Sequence, residues 1–208
     1  MNPIKQWMIQ RGVQENHIAN LDRATIEQNE QRSVTFDYSD VRPLDAYQVI
    51  RDQVDASQLP VIGAIAMPEL KMNLPIIKGA APENMYLGAG TLDPNQKMGK
   101  GNYPLASHHS IQEGMLFQPL LNAKIGQTIY LTDLSKVYEY KVTVVEHVDP
   151  YQIQWIQPTQ EAYVTLVTCD YGLNNRVIVR GAFQKDYDIK QVNQEVLDAF
   201  EIDQTLPD

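Results

Sequence analysis

Three side-chain types in this chain could together carry out acyl transfer: a thiol, an imidazole and a guanidinium. The thiol is single. Cys169 closes the alternating run YVTLVTC (163–169), and Arg176 opens the next apolar run, RVIVRG (176–181). A lone cysteine commonly packs as a small hydrophobe. Its position argues for more. Alternation sets Ala162, Val164, Leu166 and Thr168 on one face of a strand and Tyr163, Thr165, Val167 and Cys169 on the other. Cys169 thus ends a strand where a loop begins, a common place for functional groups on a rigid scaffold. The intervening DYGLNN (170–175) has turn composition. If it closes an antiparallel hairpin, Arg176 faces Cys169 with Cβ atoms about 4.5–5.5 Å apart. A guanidinium is cationic at any ordinary pH. There it would favour a thiolate, hold a developing oxyanion or orient a substrate carbonyl. The plainer alternative is a solvated cation at a strand end.

A thiol nucleophile needs a proton partner, most often histidine. Of the four histidines, His17 lies in a polar segment and His147 in a strand pattern. His108 and His109 follow NYPLAS (102–107), whose small and polar residues leave room for a substrate and would equally suit a surface loop. One cysteine and an adjacent histidine pair lack structural-zinc spacing, and no phosphate-binding glycine loop or GxSxG elbow is present.

The elements that must position these groups are mostly strands. The runs at 61–67, 74–77, 85–88, 128–131, 137–148, 162–169 and 176–183 have strand composition, punctuated by Pro68, Pro75, Gly79, Pro82 and Gly126. Many short strands in one compact unit predict a mainly β fold, a barrel or sandwich. Residues 1–57 read instead as a helical extension. They are polar with sparse apolar positions, and a stripe at Ala46, Val49, Ile50 and Val54 predicts a helix over 44–56. The expected organisation is extension 1–57, catalytic β unit 58–185 and tail 186–208, with a helix-like stretch at 192–200. The chain's 208 residues suffice for a sizeable core without disulfides. A net charge of −9 argues against nucleic-acid binding, which rests on clustered Lys and Arg. The longest apolar run, 61–67, is far below the ~20 residues of a membrane span.

The segment TLVTC (165–169), with an arginine seven residues after the cysteine, resembles the signature of the sortases, cysteine transpeptidases of Gram-positive bacteria. NYPLASHH (102–109) resembles that family's histidine segment, LPVIGAIAMPELKMNLPIIKG (59–79) its first barrel strands, and YLGAGTLDPNQKMGKGNYPLASHH the stretch leading to the histidine. The likeness covers roughly residues 57–184 and is closest to class A, in its streptococcal and lactic-acid-bacterial branch.

The resemblance implies an eight-stranded sortase-type β-barrel with short helices. It implies Cys169 as nucleophile, His108 as general acid/base, and Arg176 as the group that stabilises the oxyanion or positions the substrate, with Thr168 and Ser107 close by. It implies cleavage of LPxTG-type sorting signals between Thr and Gly, and transfer of the acyl group to an amine of a lipid-linked peptidoglycan precursor. An enzyme on the outer face of the cell membrane follows, held by an N-terminal anchor missing from this chain. Val61, Ile62, Ala64, Ile76 and Val177 are expected to line an apolar groove for the signal's Leu and Pro, with Tyr171 at its lip. Some class A enzymes are stimulated by calcium, bound by acidic residues in the segment before the histidine and in the loop before the cysteine strand. Here residues 95–107 hold two lysines and no carboxylate, so neither metal nor other cofactor is expected. Two rival readings remain: a papain-like cell-wall cysteine peptidase, and a non-catalytic surface β-barrel binding module. The first normally places Cys at a helix start and before His, the reverse of the order here.

Overall fold

The computed structural model describes residues 3–37, 58–109, 114–169 and 174–202. Eight strands form its centre: β1 (Val61–Met67), β2 (Met72–Ile77), β3 (Ala89–Thr91), β4 (Asn102–Ala106), β5 (Thr128–Thr132), β6 (Lys136–Val148), β7 (Tyr163–Cys169) and β8 (Arg176–Asp188). They close into a barrel in the order β1-β2-β3-β4-β7-β8-β6-β5. The pairs β2–β3 and β4–β7 are parallel, and the other pairs are antiparallel.

Strand β1 shows why its sequence, VIGAIAM, is apolar throughout: both of its faces are covered. Ile65 and Met67 point into the barrel core with Leu105, Phe117, Leu131, Leu166 and Val179. Ala64 and Ala66 point outward into a second core. That second core is built by the two ends of the chain: Ile18 and Ile26 from the extension, and Val196, Leu197, Phe200 and Ile202 from the tail. Gly63 is needed where β1 passes β5, because a Cβ there would lie 2.4 Å from the Thr132 carbonyl oxygen.

Among the described residues four α-helices flank the barrel: α1 (Pro3–Glu15), α2 (Arg23–Glu30), α3 (Pro82–Leu87) and α4 (Gln194–Ala199). Helix α2 starts at Asp22, whose carboxylate accepts the Thr25 N–H, and α4 starts at Asn193, whose amide oxygen accepts the Val196 N–H. The strand expected at 85–88 is a correction: those residues belong to α3 and its end. Pro82 stands in the first helical turn, where its missing N–H costs nothing. Asn84 then ties the helix to the barrel by donating to the carbonyls of Lys78 and Gly79. The short strands β3 and β4 were not expected from composition. The helix expected over 44–56 lies outside the described residues, as does Tyr171.

Candidate active site

Strand β7 runs between β4 and β8, so groups at its end have a neighbour on either side. On one side the β7–β8 ladder terminates in the pair Cys169–Arg176. The hairpin expectation therefore holds for its two ladder ends. On the other side β4 runs parallel to β7 up to the pair Ala106–Val167. Carrying that register on by two residues brings His108 alongside Cys169. Two bonds support the continuation: the Ser107 N–H donates to Val167 O at 3.3 Å, and the Thr168 hydroxyl donates to Ser107 O at 3.0 Å. Imidazole, thiol and guanidinium thus sit at one rim of the barrel on three successive chains, with a spacing of about 4.8 Å between neighbours.

Helix α3 holds the histidine from behind. The His108 N–H donates to Met85 O at 3.1 Å, and the ring lies 4.2 Å from the Tyr86 ring, centroid to centroid. The edge of His108 that carries Nε2 is shut off from solvent and has no hydrogen-bond partner among the described residues, while the residue as a whole stays partly exposed. Burial first, and the nearby Arg176 charge second, push its pKa down to about 4. Beside a neutral thiol the imidazole is therefore neutral at physiological pH and able to accept a proton. The His109 backbone forms an isolated bridge with Leu116. Cys169 is half-exposed and not in a disulfide.

Alternation decides what surrounds the thiol. Val177, next to Arg176, points into the barrel core, whereas Ile178 shares the outer face with Arg176. Ala106, Val167, Ile178 and Arg176 line a groove of about 440 Å³ on the outside of the barrel. Met85 and Leu92 border it too, and the β6–β7 connection roofs it with Ile153, Trp155 and Ile156. The groove is mostly apolar, with the Arg176 cation in its lining and Cys169 as that arginine's ladder partner. Such a site suits an extended peptide with apolar side chains and a reactive carbonyl.

The residues expected to line the groove lie elsewhere. Val61 is buried with Ile9, Ile77 and Tyr86. Ala64 faces the second core, and Ile76 and Val177 are in the barrel interior. Ile62 borders a different cavity, of about 490 Å³, with Arg23, Lys78 and Asp93. Ser107 and Thr168 are 4% and 2% exposed, so they serve as internal ties. The Ser107 hydroxyl points at two carbonyls of the α3 region, Gly88 O at 2.7 Å and Met85 O at 3.1 Å. Ser107→Ala should strand Gly88 O, while Met85 O keeps the His108 N–H, at a cost of about 1–3 kcal/mol. Thermal unfolding should then show a midpoint lower by about 3–8 °C; an unchanged midpoint would deny Ser107 this role. The groove residues that were missed had a readable cue: Val167 was already on the face of Cys169 by alternation, and Ile178 is its ladder partner. The roof residues carry no periodic pattern.

The Sortase domain family matches residues 65–184. Sortase A of Streptococcus agalactiae is 37% identical over 205 residues, 95% of this chain and 83% of that protein. Sortase A of Listeria monocytogenes is 41% identical over 145 residues, 70% of this chain and 65% of that protein. A solved structure of the Listeria enzyme superposes with a TM-score of 0.63 at 39% identity, covering 67% of this chain and 96% of its own. Sortase C-3 of Streptococcus pneumoniae, at 19% identity, shares the fold with a TM-score of 0.62 over 91% of this chain.

Proposed function

From the chain's membership of the sortase family, which makes it a cysteine transpeptidase acting on surface-protein substrates, we propose that Cys169, His108 and Arg176 cleave LPxTG-type sorting signals between Thr and Gly. The observation that carries this assignment is the ladder pair Cys169–Arg176 with His108 on the opposite flank, and Arg176 in the lining of the apolar groove.

The chemistry runs through neutral partners. The sorting signal lies along the groove with its Leu and Pro against Val167, Ile178 and the roof. Its Thr carbonyl reaches the rim. As the Cys169 sulfur bonds to the carbonyl carbon, His108 takes the thiol proton and the carbonyl oxygen becomes an oxyanion. The Arg176 guanidinium stabilises that charge in a site partly screened from water. The oxyanion collapses, the C–N bond breaks, and His108 returns its proton to the departing glycine amine. The product is a thioester on Cys169. An amine of a lipid-linked peptidoglycan precursor then attacks the thioester and gives a proton to His108. The C–S bond breaks, and the thiolate recovers that proton. No redox step and no cofactor enters this balance.

The cellular setting follows from the relatives. Sortase A relatives are membrane-anchored enzymes of the cell surface, and the same setting is proposed for this one. No helix among the described residues is long and apolar enough to cross a membrane. Calcium independence rests on charge: Asp93 is the single carboxylate between residues 93 and 107, where Lys97 and Lys100 also stand. One of its oxygens already accepts the Asn95 N–H at 2.7 Å. A calcium ion takes about six to eight oxygens, usually with several carboxylates among them. Transpeptidation rates should agree with millimolar calcium and with chelator; a several-fold rise reversed by chelator would overturn this.

The function itself is tested by incubating the protein with an LPxTG peptide and triglycine or hydroxylamine. Mass spectrometry should find the peptide cut after Thr and joined to the added amine. Absence of any such product from the wild-type protein would sink the reading.

A further inference from the structure

Arg180 is an unusual cation. It lies on β8 four residues beyond Arg176 and on the same outer face, half-buried, and no carboxylate lies within ion-pair distance among the described residues. Its guanidinium is spent on other partners. Nε donates to the Thr165 hydroxyl at 2.9 Å and Nη2 donates to Trp155 O at 2.6 Å. The same group lies 4.8 Å from the centre of the Trp155 ring and 5.1 Å from that of Tyr163. Desolvation lowers its pKa, the mark of a charge held in place without a counter-ion.

These contacts belong to a network. The buried Thr165 hydroxyl donates to Asn102 Oδ1 at 2.6 Å. The Asn102 amide donates at 2.9 Å to the carbonyls of both Trp155 and Gln157. Two side chains on the strands that flank β7, Arg180 on β8 and Asn102 on β4, therefore grip the same short stretch of the β6–β7 connection by its carbonyl oxygens. That stretch, the 3-10 turn Ile153–Ile156, is the groove's roof. The Trp155 indole Nε1 is shielded and has no acceptor among the described residues, so the guanidinium rather than a hydrogen bond of the ring's own fixes the indole.

We propose that Arg180 is a positioning residue that clamps the Ile153–Ile156 turn over the groove and so sets the enzyme's hold on the apolar half of the sorting signal. The inference rests on the reading of the groove as the sorting-signal site. Arg180 touches neither the thiol nor the scissile bond. Its loss should weaken substrate binding and leave the reacting groups alone.

The chain has two tryptophans, Trp7 and Trp155, and Trp7 is exposed. In a Trp7→Phe background the fluorescence of Trp155 therefore reports the roof directly. Arg180→Gln in that background should make Trp155 several-fold more quenchable by acrylamide. It should also raise the apparent KM for an LPxTG peptide roughly tenfold, the loss of about one charge-assisted hydrogen bond, with kcat within about twofold. Alkylation of Cys169 by iodoacetamide should keep its rate. Arg180→Lys retains charge without the planar fork and should fall between; it carries the test if Arg180→Gln does not fold. Unchanged quenching would overturn the clamp. Increased quenching with an unchanged KM, or a slowed alkylation, would overturn its role in holding substrate. If the wild-type protein cuts no LPxTG peptide, the functional reading fails, and the link between roof and substrate falls with it. Trp155 quenching still reports whether Arg180 holds the turn.

Discussion

Cys169→Ala should abolish both transpeptidation and hydrolysis of an LPxTG peptide, by at least about a thousandfold, because Cys169 is the chain's one thiol and the thioester forms on it. The fold should not suffer. Cys169 is half-exposed at the end of β7, so truncation opens no sealed cavity, and the thermal midpoint should stay within about 2 °C. The measurement has two arms. Wild-type protein mixed with peptide and no amine should show the mass of an acyl-enzyme, and the variant should not. Retention of more than about one per cent of the wild-type rate would mean that the covalent route described above is not the one used. A non-catalytic barrel would show no difference between the two proteins in any assay.

The second large effect concerns His108. His108→Ala should lower kcat/KM by about a hundred- to ten-thousandfold, the usual range for a general acid/base. His109→Ala should change it only a few-fold, since the β4–β7 register carries His108 and not His109 alongside Cys169. The reverse ranking would move the role to His109. The pH dependence is more specific. With its pKa pushed down to about 4, His108 remains neutral through mildly acidic conditions. The acid limb of kcat/KM should therefore bend near pH 4, and a bend near 6.5 would contradict the buried, Arg-flanked imidazole. Arg176→Ala should raise the His108 pKa by removing the smaller of its two causes, yet leave it below 6.5 because burial persists. An NMR titration in a Cys169→Ala background, free of the thiol, reads this directly.

The same shift acts on stability. The unfolded chain protonates His108 near pH 6.5 and the folded one near 4, so in that window the unfolded state holds more protons. The stability that His108 contributes is present above pH 6.5 and is lost as the pH falls through about 4. The loss is at most about 3 kcal/mol, and less to the extent that the ring meets solvent.

The sequence was most legible where one physical rule governed. Two-residue alternation placed Cys169 opposite the core face of β7, and turn composition at 170–175 paired it with Arg176. Continuous apolar character located β1. The reading lost ground where two rules competed. Met85 to Gly88 has strand-like composition, yet Pro82 starts a helix there, and burial of α3 against the barrel accounts for its apolar residues. Val177 was expected in the groove as an apolar strand residue, though parity sends it inward. Ala64 and Val61 were read as groove because they are apolar; they are apolar because the extension covers them, and contacts over more than thirty residues leave no local trace. Trp155 and Arg180 were illegible for the same reason: their meaning lies in a meeting of β4, β7, β8 and the β6–β7 connection, which no spacing announces.

The covering of the barrel by its own ends bears on how the enzyme can be handled. The family match spans 65–184, and a chain cut back to it would look complete on paper. It would lack Ile18, Ile26, Phe200 and Ile202, and so bare the outer face of β1. It would also lack α1, whose Gly12 lies against Leu87 on α3, the helix whose Met85 carbonyl accepts the His108 N–H. Contiguous apolar surface of that kind invites self-association. A chain cut back to 65–184 should therefore self-associate more than one that keeps residues 18–26 and 194–202, as light scattering would show.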